Sequence, residues 1–135
     1  MPCLKVEIAS TLLSLPSHTL IHRPSGVIVA RLTRLDGWWA KGVGVIGMRS
    51  LSSHEGVWLP GVSAVHTLFV RFPLDLLFLD DDLRTVGVMP NFPTWRPLAW
   101  RSGARHTLEL GADSLVNSAI AVQRGDSWDI SPSRV

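Results

Sequence analysis

Apolar residues recur along this chain every second position and in short unbroken runs, and both patterns favour strands over helices. The densest stretch is Val65 to Asp82, V-H-T-L-F-V-R-F-P-L-D-L-L-F-L-D-D-D, which divides at Pro73. Alternation over Val65 to Phe72 predicts a strand with His66, Leu68, Val70 and Phe72 on one face and Val65, Thr67, Phe69 and Arg71 on the other. Leu74 to Leu79 is apolar on both faces, which predicts a strand covered on both sides. Asp75 breaks that run on the face of Leu77 and Leu79, so its carboxylate requires a partner. Asp80 to Asp82 suit a solvated turn into Arg84 to Met89, an antiparallel partner.

The same reading organises the rest of the chain. Glu7 to Leu15 forms a short helix or strand ended by Pro16. His18 to His22 and Val27 to Leu32 flank R-P-S-G and predict a hairpin. Asp36 can cap a short helix whose first turn holds Trp38 and Trp39, and the segment through Leu51 docks on the sheet. Gly42, Gly44 and Gly47 weaken that helix by up to about 1 kcal/mol each relative to alanine. Gly56 to Pro60 and His106 to Leu110 are strands, Gly111 with Asp113 or Ser114 introduces a helix through Ser118, and Ile120 to Gln123 and Trp128 to Ile130 flank a turn over residues 124–127. Between them, P-N-F-P-T-W-R-P-L-A-W-R-S-G-A-R has no regular period and reads as a loop. The expected architecture is mainly β: two packed antiparallel sheets or a flattened barrel with one or two short helices.

Several of these segments resemble the DUF192 family of small uncharacterised proteins. The central V-H-T-L-F-V-R-F-P-L-D-L-L-F-L-D is similar to that family's signature, and G-V-G-V-I-G-M-R-S-L (Gly42 to Leu51), with Arg49 at the arginine, is similar to its glycine-leucine-methionine-glycine-arginine-x-leucine segment. A-R-H-T-L-E-L (Ala104 to Leu110) and R-G-D (Arg124 to Asp126) resemble its glutamate-bearing strand and closing turn. The match spans residues 31–130, leaving 1–30 as an N-terminal extension and hairpin of one domain over 1–135. Where many members carry a tryptophan-methionine-lysine-asparagine-threonine run, this chain has His66, Thr67, Leu68, Phe69 and Val70, so no role of that lysine or asparagine carries over. The resemblance implies a compact, mainly β domain and no particular activity.

Composition narrows the field. With 135 residues, 46% of them hydrophobic, and a mean hydropathy of +0.23, the chain can bury one core without a metal or disulfide. Its N-terminus lacks the basic and continuously apolar regions of a signal peptide, no stretch approaches a membrane span, and the default address is the cytoplasm. Cys3 stands alone. Of 13 basic residues 11 are arginine, which suits bidentate recognition of anions, although net charge is only +2.

Candidate chemistry is sparse. His18 and His22 sit four apart, about 13 Å along a strand, too far to share a zinc ion; with His54, His66 and His106 in separate elements, neither metal nor cofactor is expected. G-V-G-V-I-G fits a dinucleotide fingerprint in letters but lacks its βαβ frame. His66 and Asp75 are the candidate acid/base pair of a hydrolase-like enzyme, with Arg71 steering an anion; against this, Asp75 suits a structural carboxylate and His66 an interior histidine. The stronger candidate is the loop carrying Trp95, Arg96, Trp100, Arg101 and Arg105, with Arg71 nearby, as a surface for an anionic small molecule or acidic peptide. Alternatively its tryptophans plug the core and its arginines pair with Asp75, Asp80, Asp82 and Glu109. Single-stranded nucleic acid ranks behind both, and the assembly expected is a monomer or weak dimer.

Overall fold

The computed structural model describes residues 16–37, 45–46 and 48–133. The element expected over Glu7 to Leu15 and the helical turn holding Trp38 and Trp39 lie outside the described residues. Among the described residues nine strands and one short helix follow in order: β1 His18–His22, β2 Val27–Arg34, β3 Glu55–Pro60, β4 Ala64–Val65, β5 Leu74–Leu79, β6 Thr85–Phe92, β7 Ala99–Trp100, β8 His106–Gly111, α1 Ser114–Asn117 and β9 Trp128–Pro132. The β1–β2 hairpin forms as its R-P-S-G turn predicts, with Gly26 at φ 72°. Asp80 shapes the β5–β6 turn by accepting the N–H groups of Asp82 and Arg84 on Oδ1, at 2.9 and 3.0 Å.

Seven strands make one sheet in the order β6-β5-β8-β3-β2-β1-β9, while β4 and β7 pair separately. The sheet is not purely antiparallel, as the alternation had implied: β2 and β3 run parallel from Arg31↔Glu55 to Arg34↔Trp58. A parallel pair needs a long crossover, and residues 35–54 supply it. Ile120 to Gln123 adds no strand. The large sheet curls until its edges meet, with Arg84 bridging Ser127, Thr85 N–H donating to the Asp126 carbonyl and Trp128 N–H to the Leu83 carbonyl. Of the two expected architectures, this is the flattened barrel.

Curling separates two cores. Residues from every strand of the large sheet face the first, among them Leu20, Leu32, Trp58, Leu77, Leu108 and Trp128, with Val88 of β6 at its margin, so it fills the barrel. The second lies on the other side of β3, β5 and β8, where Leu35, Val45, Leu51 and Val70 cover Val57, Leu74, Leu76 and Phe78. Ile46 and Met48 pack against it, so the described part of the segment ending at Leu51 docks on the sheet as expected. β5 is buried at all six positions because it separates the two cores.

Asp75 is the exception in that strand, 1% exposed. Its Oδ1 accepts the N–H of Asn91 at 2.9 Å and its Oδ2 the N–H of Leu115 at 3.1 Å. Both donors need it. The β5–β6 register shifts between Leu74↔Phe92 and Leu76↔Met89, so Pro90 and Asn91 together oppose Asp75 in a bulge, and Asn91 sits at φ 48°. In α1, Asp113 occupies the N-cap position at φ 68° and makes no side-chain cap, so an N-terminal N–H of the helix turns to Asp75, far away in sequence. The sequence required a partner for Asp75, and the partners are backbone N–H groups rather than an arginine. Asp75→Ala would orphan both, and should lower stability by about 1 to 3 kcal/mol in denaturant melts. An alanine variant as stable as the parent would show that neither bond matters.

Candidate functional site

The segment expected to be a strand over Val65 to Phe72 is a strand only through Val65; residues 66–73 form a loop. Thr67 is the reason. It is 1% exposed and ties this loop to the one beyond β6: its N–H donates to the Arg96 carbonyl at 2.9 Å, and its carbonyl accepts the N–H of Trp95 at 2.8 Å and of Val70 at 3.2 Å. Its hydroxyl donates to the Pro93 carbonyl and accepts the N–H of Arg96, both at 2.8 Å. These bonds replace the ladder that alternation had implied. Val70 turns inward to the second core, and His66 turns out, its Nδ1 accepting the N–H of Leu68 at 3.2 Å. The face expected to group His66 with Leu68, Val70 and Phe72 therefore does not exist.

What the two loops present is aromatic. Phe69 and Trp95 stand 63% and 58% exposed with ring centroids 5.0 Å apart, and Leu98 and Trp100 are also exposed. The two rings are tilted by 59°, and both residues adopt left-handed backbone, Phe69 at φ 66° and Trp95 at φ 61°. Side chains of this size pay about 1 to 2 kcal/mol for that conformation, which persists only where its surroundings overdetermine it. Thr67 provides that constraint, its carbonyl holding the N–H of Trp95 and of Val70, the residue after Phe69. The tryptophans thus do not plug the core.

The arginines divide into groups. Arg96 is exposed beside Trp95, with its backbone held by Thr67. Trp100, Arg101, Arg105 and Ser63 line an open depression of about 280 Å³. The Arg101 stem lies over Gly87, where a Cβ would come 2.5 Å from its Cγ, and Nη1 donates to the Trp100 carbonyl at 3.0 Å. Arg71 is exposed on the loop of Phe69. The expected pairing of this set with Asp75, Asp80, Asp82 and Glu109 is not found; its one ion pair among the described residues joins Arg105 to Asp81 at 4.0 Å. Nor does any contact among them join Asp75 to His66. Sequence reading placed a ligand over the exposed side of Val65 to Phe72 as well as the loop, but it gave no role to Thr67, Phe69 or Leu98, and T-L-F-V carries no turn-forming residue to mark the loop there.

Glu109 stands apart on β8. Opposite Val57 on one side and Leu76 on the other, it is 6% exposed and makes no side-chain hydrogen bond among the described residues. Burial raises its carboxyl pKa to about 7. Asp126 has the reverse shift: the Gln123 N–H, and then the His22 ring at 2.8 Å, hold its carboxyl below the usual range. Among the described residues no group of three or more histidine, cysteine, aspartate or glutamate side chains gathers as a metal site, and no helix is long and apolar enough to cross a membrane.

Two solved structures share the fold. One is a protein of unknown function from Novosphingobium aromaticivorans DSM 12444, 18% identical, with a TM-score of 0.70 over 84% of this chain and 83% of that one. The other is a candidate transcription regulator from Sinorhizobium meliloti 1021, also 18% identical, with a TM-score of 0.72 over 85% of this chain and 92% of that one. No family model matches the sequence, and no curated protein does.

Two measurements test this geometry. Relief of the left-handed backbone should make Trp95→Gly more stable than Trp95→Ala by about 1 kcal/mol, reversing the usual order of those residues; the ordinary order in thermal melts would remove the strain argument. Glu109 binds its proton more tightly folded than unfolded, so stability falls as pH rises from 4.5 to about 7, by roughly 2 to 3 kcal/mol. Denaturation across that window should show Glu109→Gln gaining on the parent and the gap levelling off above pH 7. A gap independent of pH would mean that the carboxyl is solvated.

Proposed function

We propose that the domain is a non-catalytic binding module whose two-loop surface receives an acidic peptide segment carrying apolar side chains. The observation that carries this reading is the exposed Phe69–Trp95 ring pair, held in costly backbone geometry by a buried threonine and bordered by Arg96. Rigid aromatic area costs little further entropy on binding, and tryptophan and arginine are the residues on which protein interfaces most often depend. The surface is broad, and its depression at Trp100 to Arg105 is open rather than enclosed. That suits a peptide better than a small anion, which favours a concave pocket. Leu98 and Trp100 extend the apolar strip toward Arg101 and Arg105, so apolar and acidic side chains of one segment would find partners in turn.

The hydrolase-like alternative at His66 and Asp75 has less support, because both Asp75 oxygens are engaged by backbone N–H groups inside the barrel. Kinship with DUF192 remains part of the proposal. Its resembling motifs fall on β5, on β8 and on the turn before β9, three places where the barrel is held together.

Arg96 and Arg101 changed together to glutamine test the reading. Stability should fall by no more than about 1 kcal/mol, since Arg96 is exposed and Arg101 gives up one exposed hydrogen bond to the Trp100 carbonyl. Affinity for fluorescent peptides containing glutamate and leucine should fall at least ten-fold. Collapse of stability would make the arginines structural, and unchanged affinity would exclude the loop surface. Stronger binding to oligothymidylate with a steep salt dependence would instead favour single-stranded nucleic acid, a comparison prompted by the description of the Sinorhizobium meliloti protein. Saturation by citrate or pyrophosphate alone would favour a small anion.

A further inference from the structure

A second place in the fold, separate from the two loops, is built around His54. β3 begins only at Glu55, so among the described residues no strand pairs with β2 on that side before Arg31, and an open depression of about 260 Å³ lies beside it. Ile28, Arg31, Ser53, His54 and Glu55 line it. His54 is fixed from every side. Its N–H donates to the Ser114 hydroxyl at 2.9 Å, its carbonyl accepts the Arg31 N–H at 2.8 Å, and its Nδ1 is 2.8 Å from the Val29 carbonyl. A carbonyl only accepts, so Nδ1 carries the hydrogen and Nε2 of the neutral ring is left as an acceptor. The residue is held at φ 70°, a left-handed conformation that its three bonds overdetermine.

The charges around this ring are of both signs, on neighbouring ladder positions, and are not paired with each other among the described residues. Arg31 and Glu55 are Cα partners in the parallel ladder, about 4.8 Å apart by ladder geometry, yet no ion pair within 4.0 Å joins them among the described residues. A plain anion would suit Arg31 and be repelled by Glu55, and a plain cation would meet the reverse. Ile28, 62% exposed, adds an apolar wall. We infer that this depression binds a free α-amino acid with an apolar side chain. Its carboxylate lies on Arg31, its ammonium group donates to Glu55 and to His54 Nε2, and its side chain covers Ile28. Both charged groups of such a ligand hang on one carbon, matching the closeness of Arg31 and Glu55, whereas a peptide terminus carries only one of them.

The test is titration of the full chain with L-leucine, followed by amide resonances in ¹H–¹⁵N spectra. Leucine should give saturable shifts at Ile28 to Arg31 and Ser53 to Glu55. L-Leucinamide, 4-methylpentanoate and glycine, which lack the carboxylate, the ammonium group and the apolar side chain respectively, should each bind at least ten-fold more weakly. Arg31→Gln and Glu55→Gln, both at exposed positions, should weaken leucine by the same factor while leaving the spectrum otherwise that of the parent. His54→Asn, which tolerates the left-handed backbone, should do likewise. Absence of saturable shifts with leucine would overturn the proposal. So would 4-methylpentanoate or leucinamide binding as well as leucine, or either glutamine variant binding like the parent.

Discussion

A buried carboxylate holds this fold in one arrangement. Asp75 sits in a strand with apolar cover on both sides, where an unsatisfied charge would cost several kcal/mol. Its two oxygens meet two backbone N–H groups that would otherwise be orphaned, one in the β6 bulge and one at the start of α1. Each of the three solves another's problem. The bulge lets Asn91 face Asp75, the helix lacks a side-chain cap of its own, and Leu115 then packs into the first core. Specificity follows, because a register slip of one residue would turn Asp75 to the other face and strand all three groups.

Closure of the barrel rests on different chemistry. Among the described residues the edges β6 and β9 meet near their beginnings, at the Arg84–Ser127 bridge and the backbone bonds that flank it. Side chains reinforce that seam: the Trp128 indole donates to the Thr85 hydroxyl at 2.7 Å, the hydroxyl donates to the Asp126 carbonyl, and Asp126 accepts from the His22 ring. The aspartate of the R-G-D turn is therefore committed inward, joining β1 to the seam. An open edge invites pairing with other chains, and joining the two edges limits it.

Both candidate sites lie where regular hydrogen bonding is interrupted. The two loops replace a ladder with bonds centred on Thr67, and the His54 depression exists because β3 starts late beside β2. In each place a large residue is held at positive φ beside exposed charge. The scaffold around them is buried in two cores, so the energetic cost of these conformations is borne by the cores rather than by the sites themselves.

The sequence alone determined the elements whose information is local. The buried β5 strand followed from a run apolar on both faces, the β1–β2 hairpin from R-P-S-G, and the β5–β6 turn from three aspartates, because burial on two sides and turn chemistry are written in adjacent residues. That Asp75 needs a partner was legible for the same reason. Tertiary structure decided which groups those partners were, since Asn91 and Leu115 are distant in sequence. It also overrode Val65 to Phe72: alternation reports which side chains can be buried, but a strand exists only where a neighbour supplies its ladder, and there Thr67 bonds across to Pro93, Trp95 and Arg96. The positive φ of Phe69 and Trp95, the burial of Glu109 and the parallel crossover share that origin. Each depends on what the folded chain brings alongside a residue, and no window of neighbouring residues contains that.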